Sequence, residues 1–164
     1  MQVRPLDDGD RPWVAALCRR HFGGDTVTAL GRVHQPALLS GLVAWEAGER
    51  VGALCFCEDE SGAEVVLLAA DRPGRGAGGA LLGALEEFGR RQGWERLRLM
   101  VTNDNTPALR FYQRRGWDLV ALHAGAVGRD RLLKPEIPRH GVDGIPLRHA
   151  LELRRTLGSG GVAP

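Results

Sequence analysis

The 164-residue sequence predicts an α/β (α+β) fold, with about seven strands and about four flanking helices. Apolar runs of strand length occur at residues 41–46, 51–57 and 65–70. Residues 80–92 and 106–115 each place apolar side chains at the spacing of one helix face. Turn residues separate these segments, so strands and helices alternate within a chain of single-domain length.

The N-terminal region predicts one strand and two helices. Residues 2–6 have the alternation of a short strand. Asp10 can cap the helix that follows, and Gly23 and Gly24 end that helix. Residues 26–39 indicate a second, weaker helix, which a glycine and a proline interrupt.

The middle of the chain predicts a hairpin followed by a central strand. Residues 47–50, Ala-Gly-Glu-Arg, form the turn between the strands at residues 41–46 and 51–57. The run at residues 65–70 is apolar on both faces, as in a strand that is buried on both sides. We therefore expect it at the centre of the sheet.

A glycine-rich turn and a helix follow the central strand. Residues 72–79 contain four glycines and one proline, so the backbone can turn sharply and approach a ligand closely. The helix at residues 80–92 follows, and Gly93 ends it. Because the N–H groups and the dipole at a helix N-terminus favour negative charge, the segment predicts a phosphate-binding site.

Three kinds of phosphate loop are candidates for this segment. A nucleoside-triphosphate loop is excluded, because Gly78 is followed by Gly-Ala rather than by Lys-Ser/Thr. The dinucleotide fingerprint G-x-G-x-x-G matches residues 74–79, but no acidic residue closes the next strand. The third kind is an R/Q-x-x-G-x-G/A loop, which residues 73–78 match except at Pro73.

One strand and a second amphipathic helix come next. Residues 96–101 alternate apolar side chains with arginine, as a half-buried strand does. In the helix at residues 106–115, Thr106 is predicted to be the cap and Pro107 to take the first helical position.

The C-terminal part predicts two strands, residues 119–123 and 149–153, around a long irregular segment. Residues 124–148 contain three prolines together with apolar residues, and loops of that length in compact domains are usually functional. We expect this segment to be ordered and to contribute to substrate specificity. Residues 158–164 are predicted to be a flexible tail, so the single domain would span residues 1–157.

The glycine-rich loop and the second amphipathic helix resemble two motifs of the GCN5-related N-acetyltransferases, the GNAT superfamily. The first motif is the R/Q-x-x-G-x-G/A loop. The second, N-x-x-A-x-x-(F/L)-Y-x-x-x-G-(F/W), is matched by Asn105, Ala108, Phe111, Tyr112, Gly116 and Trp117. The order of the predicted strands and helices over residues 1–122 also resembles that of the family. It implies the GNAT fold, with a twisted central sheet that is mixed but mostly antiparallel.

The resemblance implies an acetyl-CoA-dependent N-acetyltransferase that acts on a primary amine of a small molecule, peptide or protein. Acetyl-CoA would be the cosubstrate, and the amine would attack it directly in a ternary complex. The implied coenzyme-binding residues are Leu68, Pro73, Gly74, Arg75, Gly76, Ala77, Gly78, Gly79, Asn105 and Tyr112. Pro73 stands where the family usually has Arg or Gln, and Arg72 or Arg75 could supply that contact. Asn105 could contact the pantetheine arm or serve the helix start.

The implied catalytic residues are Tyr112, Glu64 and Leu68. Tyr112 matches the tyrosine that reaches the coenzyme sulfur, where a hydroxyl can hydrogen-bond or protonate a thiolate. A backbone N–H near Leu68 would bind the thioester oxygen, where the family's central strand has a bulge. By the alternation of a strand, Glu64 is expected to lie on the same face as Val66 and Leu68, and it is a candidate general base. His34 is a second candidate.

Two other functions fit the sequence. A non-catalytic acyl-CoA-binding or sensing domain would keep the loop and lack the base. A dinucleotide-binding oxidoreductase would use the G-x-G-x-x-G match and would retain NAD(P) rather than coenzyme A.

The composition argues against several further classes. A formal net charge of +2, with basic and acidic residues interleaved, predicts no nucleic-acid partner. No apolar run reaches the roughly 20 residues of a membrane helix, and no signal-peptide core is visible.

Cys18, Cys55 and Cys57 cannot all pair, which favours reduced thiols in a cytoplasmic protein. No metal is expected, since Cys18-x-x-His21 lacks a second ligand pair. The chain is expected to be a monomer or a homodimer.

Overall fold

A computed structural model describes residues 1–158 of the chain. In chain order the described elements are β1 (Gln2–Pro5), α1 (Arg11–Phe22), β2 (Val27–Ala29), β3 (Arg32–His34), β4 (Ser40–Glu46), β5 (Glu49–Asp59), β6 (Gly62–Ala70), α2 (Ala77–Gln92), β7 (Arg96–Thr102), α3 (Thr106–Gln113), β8 (Asp118–His123), α4 (Ala126–Asp130) and β9 (Ala150–Thr156). A seven-stranded sheet and four helices among these residues confirm the predicted fold class. The predicted tail, apart from Gly158, lies outside the described residues.

The described chain forms two compact units. The first comprises residues 1–27 and 35–97, together with residues 157 and 158. It contributes strands to the seven-stranded sheet in the order β1-β4-β5-β6, and each neighbouring pair is antiparallel. The second comprises residues 28–34 and 98–156, and its strands follow the order β7-β9-β8.

The first unit packs a helix on each face of β5 and β6. On one face, α1 contributes Val14, Leu17 and Cys18 to a buried cluster with Ala53, Cys55, Leu67 and Ala69. On the other face, Phe56 of β5 packs against Phe88 of α2 and against Trp94, with ring centroids 6.4 and 5.7 Å apart. This double coverage explains why the sequence of β6 is apolar on both sides.

The helix predicted at residues 26–39 is wrong. The segment instead forms the hairpin of β2 and β3, which turns at Leu30 and Gly31, and then a short 3₁₀ turn. Both turn residues have positive φ, 49° and 75°, as a two-residue hairpin turn of primed type requires. The fourth helix is α4, within the segment predicted to be irregular.

A buried carboxylate ties the start of α1 to the edge of the sheet. Asp10 is fully buried and accepts hydrogen bonds from both terminal nitrogens of Arg4, at 2.7 and 3.0 Å, and from Nε of Arg50, at 2.8 Å. The backbone N–H of Asp7 adds a fourth bond at 3.0 Å. Burial alone would raise the pKa of Asp10, but these hydrogen bonds outweigh it and hold the pKa well below its usual range.

Replacing this carboxylate is expected to destabilise the fold. Asp10→Asn keeps the shape and removes the buried charge that both guanidinium groups share, leaving Arg4 only its pair with Asp7 at 3.3 Å, so the free energy of unfolding should fall by about 2 kcal/mol. Urea denaturation at pH 7 measures the change. Asp8→Asn is the control, since the Asp8 side chain is 97% exposed and its pair with Arg11 contributes little.

The pH dependence of this difference follows from the lowered pKa. A carboxylate with a depressed folded-state pKa stabilises the fold above its unfolded pKa of about 3.9, and this contribution is lost as the pH falls further. The difference in stability between the two proteins should therefore shrink progressively as the pH falls below about 4. A constant difference between pH 7 and pH 2 would contradict the assignment.

Candidate active site

The pairing of β5 with β6 contains a bulge that sets where the β6 side chains lie. Cys55 is opposite Leu67, whereas the next residue, Phe56, is opposite Val65. Val66 is therefore an extra residue on β6. The bulge lies two residues before Leu68, close to where the sequence predicted an interruption.

This bulge corrects the prediction for Glu64. An extra residue inverts the alternation of a strand, so Glu64 does not share a face with Leu68. Glu64 lies opposite Cys57, on the face that α1 covers, and it is 8% exposed. Leu68 lies opposite Leu54, on the face that α2 covers. The prediction that Glu64 and Leu68 share a face of the strand was therefore wrong, while the catalytic roles of both residues stay predictions.

The glycine-rich loop leads into α2 three residues earlier than predicted. The helix begins at Ala77, with Gly76 as its N-cap at a φ of 86°. Ala77 is buried, and it lies close to Gly52 of β5, where an added Cβ would come within 3.2 Å of it. This packing places Gly78 and Gly79 in the first helical turn, although glycine disfavours helix.

The first turn of α2 provides backbone N–H groups for a ligand. The N–H of Ala80 donates to the carbonyl of Gly76 at 3.0 Å. The N–H groups of Ala77, Gly78 and Gly79 precede that bond, so the helix itself gives them no acceptor. They point out of the helix at the positive end of its dipole, which suits an anion.

The loop residues before α2 are exposed. Pro73, Gly74 and Arg75 lie at the surface, and Gly74 has a φ of 83°. A Cβ added at Gly74 or Gly76 would meet no other atom within 4 Å. The glycines are therefore required by the backbone conformation and not by packing, and the space in front of the loop is open.

In the second unit, Asn105 serves the start of α3. Its side-chain oxygen accepts a hydrogen bond from the N–H of Ala108 at 3.2 Å. Asn105 is thus the N-cap, and Thr106 and Pro107 are the first two helical residues, which corrects the predicted cap by one position. A contact between Asn105 and a pantetheine arm stays a prediction.

Tyr112 lies on the inner face of α3. It is 8% exposed, and its ring packs against Phe111 and Trp117 at centroid distances of 5.1 and 5.5 Å. Burial raises the pKa of the Tyr112 hydroxyl well above its ordinary value. The hydroxyl therefore stays protonated throughout the neutral range and can donate a hydrogen bond.

The outer face of α3 carries a positive cavity that the sequence analysis did not predict. Its volume is about 770 Å³, and it is lined by Thr106, Pro107, Arg110, Phe111, Arg114 and Arg115. The guanidinium of Arg115 stacks on the ring of Phe111 at 3.7 Å from the centroid. The i, i+4 spacing of Arg110 and Arg114 was the signal available in the sequence.

The segment predicted to be an ordered loop, residues 124–148, is held by side-chain hydrogen bonds. Arg131 donates to the carbonyls of Ile137, Pro138 and Leu147 at 2.6 to 3.2 Å. The buried carboxylate of Asp104 accepts from the N–H of Val142 at 3.1 Å. The expectation of order is confirmed, and the role in specificity stays a prediction.

A further hydrogen bond joins this segment to the β2–β3 hairpin. The buried carboxylate of Asp130, at the end of α4, accepts from the N–H of Gly31 at 2.8 Å. His34, the second candidate base, ends β3 and is half-buried. The hairpin that carries His34 is thus fixed to α4 at its turn.

The predicted site residues divide between the two units. Glu64, Leu68 and the loop at residues 73–79 belong to the first, and Asn105 and Tyr112 belong to the second. Within residues 1–158, no group of three or more His, Cys, Asp or Glu side chains is placed to hold a metal. No helix in that range is long and apolar enough to cross a membrane.

Comparisons with known proteins identify the family. The family model described as acetyltransferase (GNAT) family matches residues 11–117. The uncharacterized protein YdhI of Bacillus subtilis (strain 168) is 34% identical over 149 residues, which cover 90% of this chain and 93% of YdhI.

Two solved structures share the fold. The IAA acetyltransferase from Bacillus cereus ATCC 14579 has a TM-score of 0.76 at 18% identity, over 95% of this chain and 99% of that one. The protein yncA from Salmonella typhimurium, described with its cofactor acetyl-CoA, has a TM-score of 0.68 at 17% identity, over 100% of this chain and 97% of that one. The family match and the YdhI relationship together show that the chain belongs to the acetyltransferase (GNAT) family.

Proposed function

We propose that this protein is an acetyl-CoA-dependent N-acetyltransferase that acetylates a primary amine of a small molecule, peptide or protein by direct attack in a ternary complex. The start of α2 carries the proposal. A glycine N-cap and a first turn of Ala77, Gly78 and Gly79 present backbone N–H groups to open space, directly after the central strand. Family membership supports acetyl transfer and removes the dinucleotide alternative.

The loop would bind the pyrophosphate of coenzyme A through backbone groups. Residues 74–79 supply the N–H donors and the helix dipole. Pro73 has no side-chain donor at the position where the family usually has Arg or Gln. Arg72 and Arg75 are exposed on the same loop and add positive charge.

The reaction forms a C–N bond and breaks the C–S bond of the thioester. A neutral amine attacks the carbonyl carbon, and the backbone N–H near Leu68 stabilises the negative charge that develops on the oxygen. Coenzyme A leaves as a thiolate, to which Tyr112 donates a hydrogen bond, and the proton that the new amide nitrogen loses passes to water or to that thiolate. Complete proton transfer from Tyr112 is disfavoured, because its raised pKa exceeds the value of about 8.5 for an ordinary thiol.

Glu64 is the proposed general base. An alkylammonium of pKa about 10.4 must lose a proton before it can attack, directly or through water. Glu64 is a buried carboxyl on the α1 face of the central strand, four residues before Leu68 and on the other side of the bulge at Val66. His34 is the alternative base.

The loop assignment predicts the effect of a substitution at Gly76. Gly76→Glu should weaken acetyl-CoA binding about 100-fold or more, because it strains a positive φ and places a carboxylate at an anion site. Isothermal titration calorimetry measures the affinity. Gly93→Glu is the matched control, since Gly93 has a φ of 76° and open space at the other end of α2. Unchanged affinity in Gly76→Glu, or an equal loss in both variants, would remove the assignment.

Tyr112→Phe is expected to lower kcat by about 100-fold while the dissociation constant of acetyl-CoA changes little. The lost hydrogen bond matters mainly as the thiolate develops. Since burial raises the pKa of Tyr112, its deprotonation should cause no fall in rate between pH 7 and about pH 10. Single-turnover kinetics provide the measurement, with Phe111→Leu as the packing control. Native-like turnover in Tyr112→Phe would leave Tyr112 a packing residue.

Glu64→Gln is expected to lower kcat at neutral pH by about 10- to 100-fold without changing coenzyme affinity. Glu58→Gln, an exposed carboxyl on β5, is the control. Thioester consumption with a panel of amines gives the readout. If only His34→Ala abolished turnover, His34 would be the base. If the native protein consumed no thioester with any amine, the non-catalytic acyl-CoA-binding alternative would replace the proposal.

A further inference from the structure

Strand β8 ends the seven-stranded sheet and exposes apolar side chains. In the described part of the chain β9 is its only neighbour in the sheet. Leu119, Val120 and Leu122, half of the six residues in β8, are 50%, 45% and 61% exposed. A sheet edge offers backbone N–H and C=O groups to another strand, and natural proteins usually protect it with charge.

A bulge in β8 gathers two of these leucines on one face. Leu119 lies opposite Leu153 of β9 and Leu122 lies opposite Leu151, so Val120 is an extra residue. Leu151 and Leu153 are two residues apart and share a face of the sheet. Leu119 and Leu122 therefore lie on that same face, although they are three residues apart.

The charged ends of β8 lie on the opposite face. Asp118 is opposite Arg154, and His123 is opposite Ala150, at the even-numbered positions of β9. The strand thus has an acidic residue at its start, an imidazole at its end and an exposed leucine next to each.

The sequence of β8, Asp-Leu-Val-Ala-Leu-His, is complementary to itself when read antiparallel. With a two-fold axis at Ala121, and Val120 the extra residue in each copy, Asp118 lies opposite the partner subunit's His123. Leu119 then lies opposite the partner subunit's Leu122. Because the bulge places both leucines on one face, the leucine pairs meet on one side and the polar Asp118–His123 pairs on the other.

We propose that β8 is a homodimer interface, in which two copies of this chain pair their β8 strands antiparallel about a two-fold axis. A symmetric contact of this kind uses the same patch on both subunits. It would cover the exposed leucines and bring each Asp118 carboxylate beside the partner subunit's His123. In its own chain the Nε2 of His123 lies 3.5 Å from Oε1 of Glu152. The proposal is independent of the acetyltransferase chemistry.

Sedimentation velocity between about 5 and 100 μM tests the association. The native protein should sediment as a dimer, with twice the chain mass of 17.8 kDa. Leu119→Lys combined with Leu122→Lys should sediment as a monomer with an unchanged circular dichroism spectrum. The matched control is Leu132→Lys with Leu133→Lys, two leucines that are 84% and 53% exposed outside β8. A native monomer at 100 μM, or a dimer that survives the β8 substitutions, would overturn the proposal.

A disulfide experiment tests the register. Opposite residues in an antiparallel pair have Cα atoms about 5 Å apart, within reach of a disulfide. Leu119→Cys chains mixed with Leu122→Cys chains should therefore form a cross-linked dimer on mild oxidation. Either variant alone should not, because residue 119 of each copy would be roughly 8 Å from residue 119 of the other, beyond the reach of a disulfide. Non-reducing electrophoresis gives the readout. No cross-link in the mixture, or equal cross-linking by one variant alone, would contradict the proposed pairing.

Discussion

The antiparallel pairing of β5 with β6 is the constraint on which the rest of the first unit depends. It gives both helices, α1 and α2, an apolar surface to cover, and the cores on the two faces contain side chains from both strands. The bulge at Val66 then decides that Glu64 lies on the α1 face and Leu68 on the α2 face. Since β6 leads directly into the glycine loop, the same pairing also positions the start of α2.

The glycines at the start of α2 lower the stability of the helix and leave its first backbone N–H groups accessible. Two glycines in the first turn cost helix propensity, by roughly 1 kcal/mol each relative to alanine. In return, the three residues that supply these N–H groups at the positive end of the helix carry no side chain larger than a methyl group. The packing of Ala77 and Leu81 near Gly52 offsets that cost. Because the donors belong to the backbone, a proline at position 73 leaves the N–H groups of the first turn in place.

The sequence by itself determined most of the elements and the chemistry they suggest. Seven sheet strands, α1, α2 and α3 were legible from periodicity and turn residues, since these signals are local. Two short motifs, the glycine loop and the stretch containing Asn105 and Tyr112, carried the family resemblance that the comparisons confirmed. The glycine pattern also predicted an anion site, because a helix N-terminus has that property wherever it occurs.

Only the tertiary structure decided the details that depend on distant parts of the chain. The bulge at Val66 arises from register with β5, and no local pattern marks it, so the side of Glu64 could not be predicted. Packing against β5 set the start of α2 at Ala77, against the low helix propensity of its glycines. Residues 26–39 became a hairpin through positive φ at Leu30, a conformation that leucine seldom adopts and that its sequence does not signal. In each case contacts between segments outweighed the local preference, and those contacts are absent from a reading of the sequence alone.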